Sequence, residues 1–345
     1  MNMEDEAASI QAVQQTLDRF LDDMAEELES KAPGAGASLE HLRWVLRSGG
    51  KRIRPVLCLL GYRIGGGTSD ERIFKVAASI ELLHTFAIIH DDLMDRSEER
   101  RGAPTLFHAL GGEGNDAARP TAILVGDIAL VLSEILFSSS GFSADELTRA
   151  RRHLDRMRLD AVAGQYLDIS RSGIVDVDVD ARRSIARLKT GTYSVEGPLL
   201  IGATLAGADD QVLSVLATYG RAVGEAFQLN DDLLLLRDAR ATGKDPMADV
   251  RMGRPLVLIS EAALRSGQED LEFLEEKWGD PHATPGDLAR IREIVETSGA
   301  ADATRKLLAD LVQGAKDALS GLNLPQSSQE LALKTLEGLP ARIEN

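Results

Sequence analysis

The sequence predicts an all-α fold, organised as one domain across residues 1–345. Apolar residues recur at helical spacing almost throughout, the breaks fall at glycine and proline clusters, and strand signals are almost absent. Only Val175–Asp180 alternates with period two, and that segment is short, isolated and acidic. It lacks the sixth-position glycine and twelfth-position glutamate of a calcium loop, so it reads as a solvated loop leading to an N-cap at Asp180.

Taken in order, residues 7–30 carry Val13, Leu17, Phe20, Leu21, Met24 and Leu28 on a helical repeat. A loop at 31–38, rich in glycine and alanine, follows. Pro55 suits the first turn of a helix ending near Gly65–Gly67. Thr68-x-x-Glu71 reads as a capping box that starts a long apolar helix reaching Asp95. Gly111–Gly114 is a break, and further helices are expected at about 118–138, 143–170, 181–206 and 209–236. The stretch 238–254 reads as a loop, and residues 256–345 hold three or four amphipathic helices.

Composition narrows the function. With 43% hydrophobic but only 4% aromatic residues, the core must be aliphatic. A net charge of −16 argues against a nucleic-acid surface. Cys58, the single cysteine, lies in an apolar run and reads as buried and inert; no intrachain disulfide is possible. The acidic N-terminus has no signal-like apolar region, and no apolar run approaches the length of a bilayer span, so a cytoplasmic protein is expected.

Two carboxylate clusters carry most of the functional information. Asp91-Asp92-Leu93-Met94-Asp95 and Asp231-Asp232 each close an apolar helical run. Adjacent carboxylates in that position are costly unless neutralised, and a divalent metal with a polyanion would neutralise them. His84, Asp91 and Asp95 share a helix face, with the two aspartates about 6 Å apart along the axis. Hard oxygens so placed suit Mg²⁺. In the second cluster Leu235 stands at i+4, and Asp238 follows at i+7. Asp231 is the expected ligand there, with Asp238 a weaker candidate.

The basic residues concentrate beside these clusters. Gly49-Gly50-Lys51-Arg52-Ile53-Arg54-Pro55 places cations and backbone N–H groups at a helix start, an arrangement that suits phosphate. Arg100-Arg101 follows the first aspartates, and Lys189, Thr190 and Lys244 add possible diphosphate contacts.

Together these motifs resemble the trans-isoprenyl diphosphate synthases, most of all bacterial geranylgeranyl diphosphate synthases. The resemblance rests on Gly49-Gly50-Lys51-Arg52-x-Arg54-Pro55, Glu81-Leu-Leu-His84, His90-Asp91-Asp92-x-x-Asp95 and Arg100-Arg101-Gly102. It continues through Gly164-Gln165-x-x-Asp168, Lys189-Thr190-Gly191-x-Tyr193, Phe227-Gln228-x-x-Asp231-Asp232 and Gly243-Lys244, so the motifs span about residues 49–255. It implies antiparallel helices around a deep apolar cavity, a homodimer, and three Mg²⁺ ions joining an allylic diphosphate to both clusters. Asp91, Asp95 and Asp231 would ligate metal, and Asp92 and Asp232 would orient that shell. Arg100, Lys189, Gln228 and Lys244 would hold the allylic diphosphate, and Lys51, Arg54, His84 and Arg101 isopentenyl diphosphate.

Two departures stand out. Leu235 replaces the last aspartate of the second motif, and Gly253-Arg254-Pro255-Leu256 stands where the family has Gly-Lys-x-Thr, with Arg254 keeping the charge. By the resemblance Phe86 and Ala87, one turn below Asp91, are the expected chain-length floor, and the absence of two extra residues within Asp91–Asp95 is similar to geranylgeranyl synthases rather than the bacterial farnesyl type, so a C20 product is expected, with C15 as runner-up. The competing readings are a class I terpene cyclase, a modulating partner subunit and a plain structural bundle. The cyclase leaves Lys51 and Arg54 without purpose, the partner subunit should lack the first aspartate motif, and the bundle explains none of the ordered motifs.

Overall fold

The structure is a computed structural model of the chain and describes residues 3–100, 102–237, 246–321, 330, 332 and 333. It is helical, as the periodicity requires, and it divides into two compact units. Unit 1 comprises Met1–Ala150 with Gly202–Gly207, and unit 2 comprises Arg151–Ile201 with Ala208–Asn345.

Unit 1 begins with α1 (Met3–Lys31), α2 (Ala37–Arg47), α3 (Ile53–Ile64) and α4 (Glu71–Met94). The sequence reading passed over α2, whose Leu39, Leu42 and Leu46 form a buried stripe one side wide. Helix α4 is buried around most of its circumference between Ile73 and Thr85. Each such aliphatic side chain contributes about 1.5–3 kcal/mol on leaving water. The expected capping box at Thr68 is not what starts α4. Asp70 caps it instead, accepting from the Arg72 and Ile73 N–H groups at 3.0 and 3.3 Å. The carboxylate next to the first turn outcompetes a hydroxyl two residues earlier.

Beyond α4 the chain makes a hairpin that sequence reading did not anticipate: β1 (Glu99–Arg100) pairs antiparallel with β2 (Ala103–Pro104). A short α5 (Leu106–Ala109) and a 3₁₀ turn at Gly112–Gly114 lead to α6 (Ala118–Ser138), which packs along α4. Helices α4 and α6 are long and apolar enough to cross a membrane by length and composition. The polar residues that interrupt their apolar runs concealed this in the sequence. The apolar window of α4 is 61% buried, as a core helix should be, whereas that of α6 is 44% buried.

Helix α7 (Ala144–Ser170) begins in unit 1 and continues into unit 2. Unit 2 then holds α8 (Val179–Ala186), capped by Asp178 rather than Asp180, followed by a π-helix at Arg187–Glu196 and by α9 (Gly197–Leu205), whose last residues return to unit 1. The single helix expected over 181–206 is thus three segments. Helix α10 (Asp210–Leu233) runs into a 3₁₀ turn at Leu234–Leu236.

Part of the expected loop at 238–254 is helical: α11 (Pro246–Met252) occupies its second half. Helices α12 (Val257–Arg265), α13 (Gln268–Lys277), α14 (Pro285–Thr297) and α15 (Ala300–Ser320) follow, in keeping with the expected amphipathic series. Their core is aliphatic, built from Leu258, Ile259, Leu274, Ile291, Ile294 and Val295 around Trp278. Cys58 is fully buried, and burial pushes its thiol far above the ordinary range.

Candidate active site

Unit 1 places the first aspartate cluster at the last turn of α4. Asp95 is the C-cap, its N–H bonding the Asp91 carbonyl at 2.8 Å. The chain then folds back: Arg96 adopts φ 53°, Ser97 N–H bonds the Asp92 carbonyl at 3.0 Å, and Thr105 Oγ1 donates to the Ser97 carbonyl at 2.8 Å. This reversal and the small hairpin return Arg100 to the carboxylates. Its Nη2 lies 3.0 Å from Asp91 Oδ2 and its Nε 2.7 Å from Asp92 Oδ1. One guanidinium therefore bridges adjacent aspartates with its planar fork.

The two aspartates differ in environment. The Asp92 side chain is 7% exposed and that of Asp91 24%. Burial pushes the Asp92 carboxyl up to about 6, with Asp91 and Asp95 adding to the rise and Arg100 opposing it. Asp91 is thus the more accessible oxygen donor and Asp92 the one held inside by Arg100.

The basic motif sits in the same unit, at the junction of α2 and α3. Gly49 and Gly50 have φ of 98° and 135°, and Arg52, the N-cap of α3, has φ 50°. Lys51 is exposed, between these left-handed residues. Arg54 Nη1 lies 2.9 Å from His84 Nε2, so these two expected diphosphate ligands are neighbours. His84 stands two turns of α4 before Asp91, about 10 Å along the axis. One helix thus carries a basic station and an acidic station.

The expected floor residues lie between those stations. The Phe86 ring packs edge-on to His90 with centroids 4.7 Å apart. His90 Nε2 in turn lies 3.2 Å from the Ile123 carbonyl of α6. Both Phe86 and Ala87 are half-buried.

Unit 2 carries the remaining motifs. Lys189 Nζ lies 2.6 Å from Asp168 Oδ2, pairing the π-helix with α7. Thr190 Oγ1 donates to Gln228 Oε1 at 2.9 Å, Gln228 Nε2 donates to Asp232 Oδ1 at 3.0 Å, and Asp232 Oδ2 accepts the Val257 N–H at 2.8 Å. Asp232 is therefore a buried carboxylate that receives the first N–H of α12. Asp231 is half-buried beside it.

The π-helix lies unusually close to its neighbours. A Cβ on Gly164 would stand 2.4 Å from the Lys189 nitrogen, and one on Gly224 would stand 2.3 Å from Gly191 Cα. Only glycine lets α7 and α10 approach the Lys189–Gly191 backbone this closely.

Leu235 lies in the 3₁₀ turn, buried in the core with Val250, Leu258 and Ile259. The residue that departs from the family motif has thus become a packing residue. Helical geometry stops at Leu236, and Arg237 is extended. Arg254 Nε lies 3.0 Å from Asp249 Oδ1, a carboxylate that is itself buried. Arg101, Asp238 and Lys244 lie outside the described residues.

Several residues of this constellation escaped the sequence reading. The motif Gly164-Gln165-x-x-Asp168 names Asp168 but not its partner Lys189. Glu225, buried on α10, holds Arg183 at 2.5 Å, and Arg187 lies 3.5 Å from it. Arg52 is a third case: it lies in the basic motif but turns inward. For Asp168 and Glu225 the signal is a charge at an otherwise apolar helical position, which periodicity alone flags as an irregularity; Arg52, at an N-cap within a basic run, gives no such signal.

Among the described residues no three His, Cys, Asp or Glu side chains converge into a preformed metal cage. The donor chemistry nonetheless fits Mg²⁺, which takes one or two carboxylates and completes its shell with water and phosphate oxygens. Asp91 and Asp95 at one helix end offer that kind of partial site.

Comparison with known proteins agrees with this geometry. The polyprenyl synthetase family model matches residues 38–295. A geranylfarnesyl diphosphate synthase of Aeropyrum pernix is 35% identical over 316 residues, 90% of this chain and 94% of that protein. A (2E,6E)-farnesyl diphosphate synthase of Mycobacterium tuberculosis is 32% identical over 269 residues, 76% of this chain and 72% of that one. The crystal structure of geranylgeranyl pyrophosphate synthase from Corynebacterium glutamicum, complexed with isoprenyl diphosphate and magnesium, is 30% identical. It aligns with a TM-score of 0.88 over 96% of this chain and 98% of its own. A match of this extent in both sequence and fold places the chain in the polyprenyl synthetase family, as a prenyltransferase of the short-chain trans-prenyl diphosphate synthase type.

Proposed function

We propose that the protein condenses an allylic diphosphate with isopentenyl diphosphate, head to tail, to give the C20 product geranylgeranyl diphosphate. The observation that carries this reading is the pair of stations on α4. Two diphosphates need two different receptors, one acidic for metal-borne phosphate and one basic for direct contact, and Asp91–Asp95 and Arg54–His84 have those characters.

The reaction follows from charge. Mg²⁺, held through Asp91, Asp95 and Asp231, would neutralise the allylic diphosphate and so favour its departure. Arg100, already beside the Asp91 and Asp92 carboxylates, would supply fixed positive charge to that group, and so, by the resemblance, would Lys189. The allylic C–O bond breaks and its electron pair leaves with diphosphate. The double bond of isopentenyl diphosphate, whose diphosphate Lys51, Arg54 and His84 would hold, attacks the allylic carbon. A C–C bond forms, and a proton is lost to the departing diphosphate, so no protein base is required. Each within its own unit, Asp232 would act indirectly by holding Gln228 and Asp92 by holding Arg100.

The C20 assignment rests on Phe86, one turn below the first aspartates, and on the absence of two extra residues between Asp91 and Asp95; the geranylgeranyl pyrophosphate synthase of Corynebacterium glutamicum is a relative compatible with it. Relatives of similar identity bear farnesyl and geranylfarnesyl names, so product length follows local residues rather than overall similarity. The magnesium bound in that neighbour supports the choice of metal. The test is incubation of the purified protein with Mg²⁺, isopentenyl diphosphate and each of three allylic primers, then chromatography of the dephosphorylated products. A C20 alcohol is expected. No condensation with any primer would overturn the reading, and a hydrocarbon formed from a primer alone would indicate a cyclase.

A further inference from the structure

The basic motif contains a cation that does not face the diphosphate station. Arg52 lies between Lys51 and Arg54 in sequence, yet its side chain is only 12% exposed. Its Nη1 lies 2.5 Å from Glu81 Oε1, a carboxylate 5% exposed. Its Nη2 donates to the Leu46 carbonyl in the last turn of α2 and stands 3.5 Å from Gln14 Oε1 of α1. One guanidinium at the head of α3 thus touches α1, α2 and α4.

The backbone around it needs such a tether. Gly49, Gly50 and Arg52 all have positive φ, and for arginine the left-handed region costs energy that its surroundings must offset. The Glu81 pair and the Leu46 bond provide that offset. Glu81 and His84 are one turn apart on α4, and they hold Arg52 and Arg54, which are two apart at the start of α3. The same rigid helix that presents His84 therefore fixes the register of the loop carrying Lys51.

We infer that Arg52 and Glu81 are positioning residues for isopentenyl diphosphate: their buried ion pair sets the placement of Lys51 and Arg54 without touching substrate. This rests on the reading of Lys51, Arg54 and His84 as the isopentenyl diphosphate station. Glu81 shares a face of α4 with His84 but stands ten residues, about 15 Å of helix, before Asp91, so loss of the pair relaxes the loop rather than the acidic end. The effect should therefore be selective for one substrate.

The test uses the full chain with Glu81→Gln, which keeps the side chain's size and hydrogen-bonding capacity but removes its charge. Steady-state kinetics are measured with each substrate varied against a saturating level of the other, alongside circular dichroism and the thermal midpoint. The KM for isopentenyl diphosphate should rise about tenfold, the scale expected when a binding group is misplaced by a fraction of an ångström. The KM for the allylic primer should stay within about twofold. Arg52→Lys, which keeps the cation but loses the fork, should show the same selectivity and serves if Glu81→Gln does not fold. Two outcomes would overturn the inference: both KM values unchanged, or both rising together. Absence of condensation by the unaltered enzyme would instead overturn the functional reading, and it is seen before any variant is compared.

Discussion

At the scale of single residues, the second aspartate pair divides its labour. Asp232 is 2% exposed and accepts from Gln228 and from the Val257 N–H, while Asp231 beside it is half-buried. Asp232→Asn puts an N–H₂ opposite one of two donors and leaves a buried bond unmade, at a cost of about 1–3 kcal/mol. Urea denaturation should show that loss, and should show little change for Asp231→Asn, whose deficit should instead appear in turnover. Equal stability of the two variants would place Asp232 outside the packed interior. Phe86 makes a second residue-scale case. Its ring rests on His90, so Phe86→Ala removes bulk one turn below the metal ligands without touching Asp91. The expected result is a shift toward products longer than C20, read by chromatography after dephosphorylation. An unchanged distribution would move the floor elsewhere.

At the scale of elements, α4 was legible and the segments that bend around it were not. Its long apolar run fixed its length to within a residue at the C-terminal end, because a buried core helix leaves a continuous hydrophobic signature. The acidic and basic motifs were legible too, since chemistry demands charge where packing would not. The π-helix was not, because its i+5 bonding leaves the apolar spacing close to that of an α-helix. The hairpin at Glu99–Pro104 is too short for any period, and the inward turn of Arg52 depends on Glu81, 29 positions away. The start of α4 was misread for a local reason that can be measured. Asp70→Ala removes the cap that satisfies two N–H groups and should cost about 1 kcal/mol. Although burial opposes it, hydrogen bonds from Arg72 and Ile73 hold the Asp70 carboxyl below its ordinary 3.8. Its contribution is therefore complete above pH 3.8 and disappears as pH falls through the lower folded-state value. The stability difference between the two proteins should accordingly be constant near neutrality and shrink in acid. A difference that grew on acidification would assign the cap to another group.

At the scale of the whole molecule, α7 carries an apolar surface stripe that is exposed among the described residues. Leu159, Val162, Tyr166 and Ile169 are all exposed, Tyr166 by 70%, and their spacing of three, four and three residues draws a single stripe. Contiguous apolar surface of this kind marks an interaction site, and a second copy of the chain is the occupant that the homodimer reading assigns. Each copy carries a charge of −16, so net charge opposes pairing of two copies, and in a homodimer built on this face the apolar stripe would supply the attraction. That balance makes a prediction with a definite sign. Sedimentation of the unaltered protein should give about twice the 37.2 kDa chain mass, and the Leu159→Glu, Tyr166→Glu double variant should sediment as a single chain. Added salt shortens the screening length, to about 3 Å at 1 M, and weakens the repulsion while leaving burial of the stripe favourable. Association should therefore tighten as salt rises. A dimer that dissociates on adding salt would mean that ion pairs hold the copies together, and the stripe would then need another occupant.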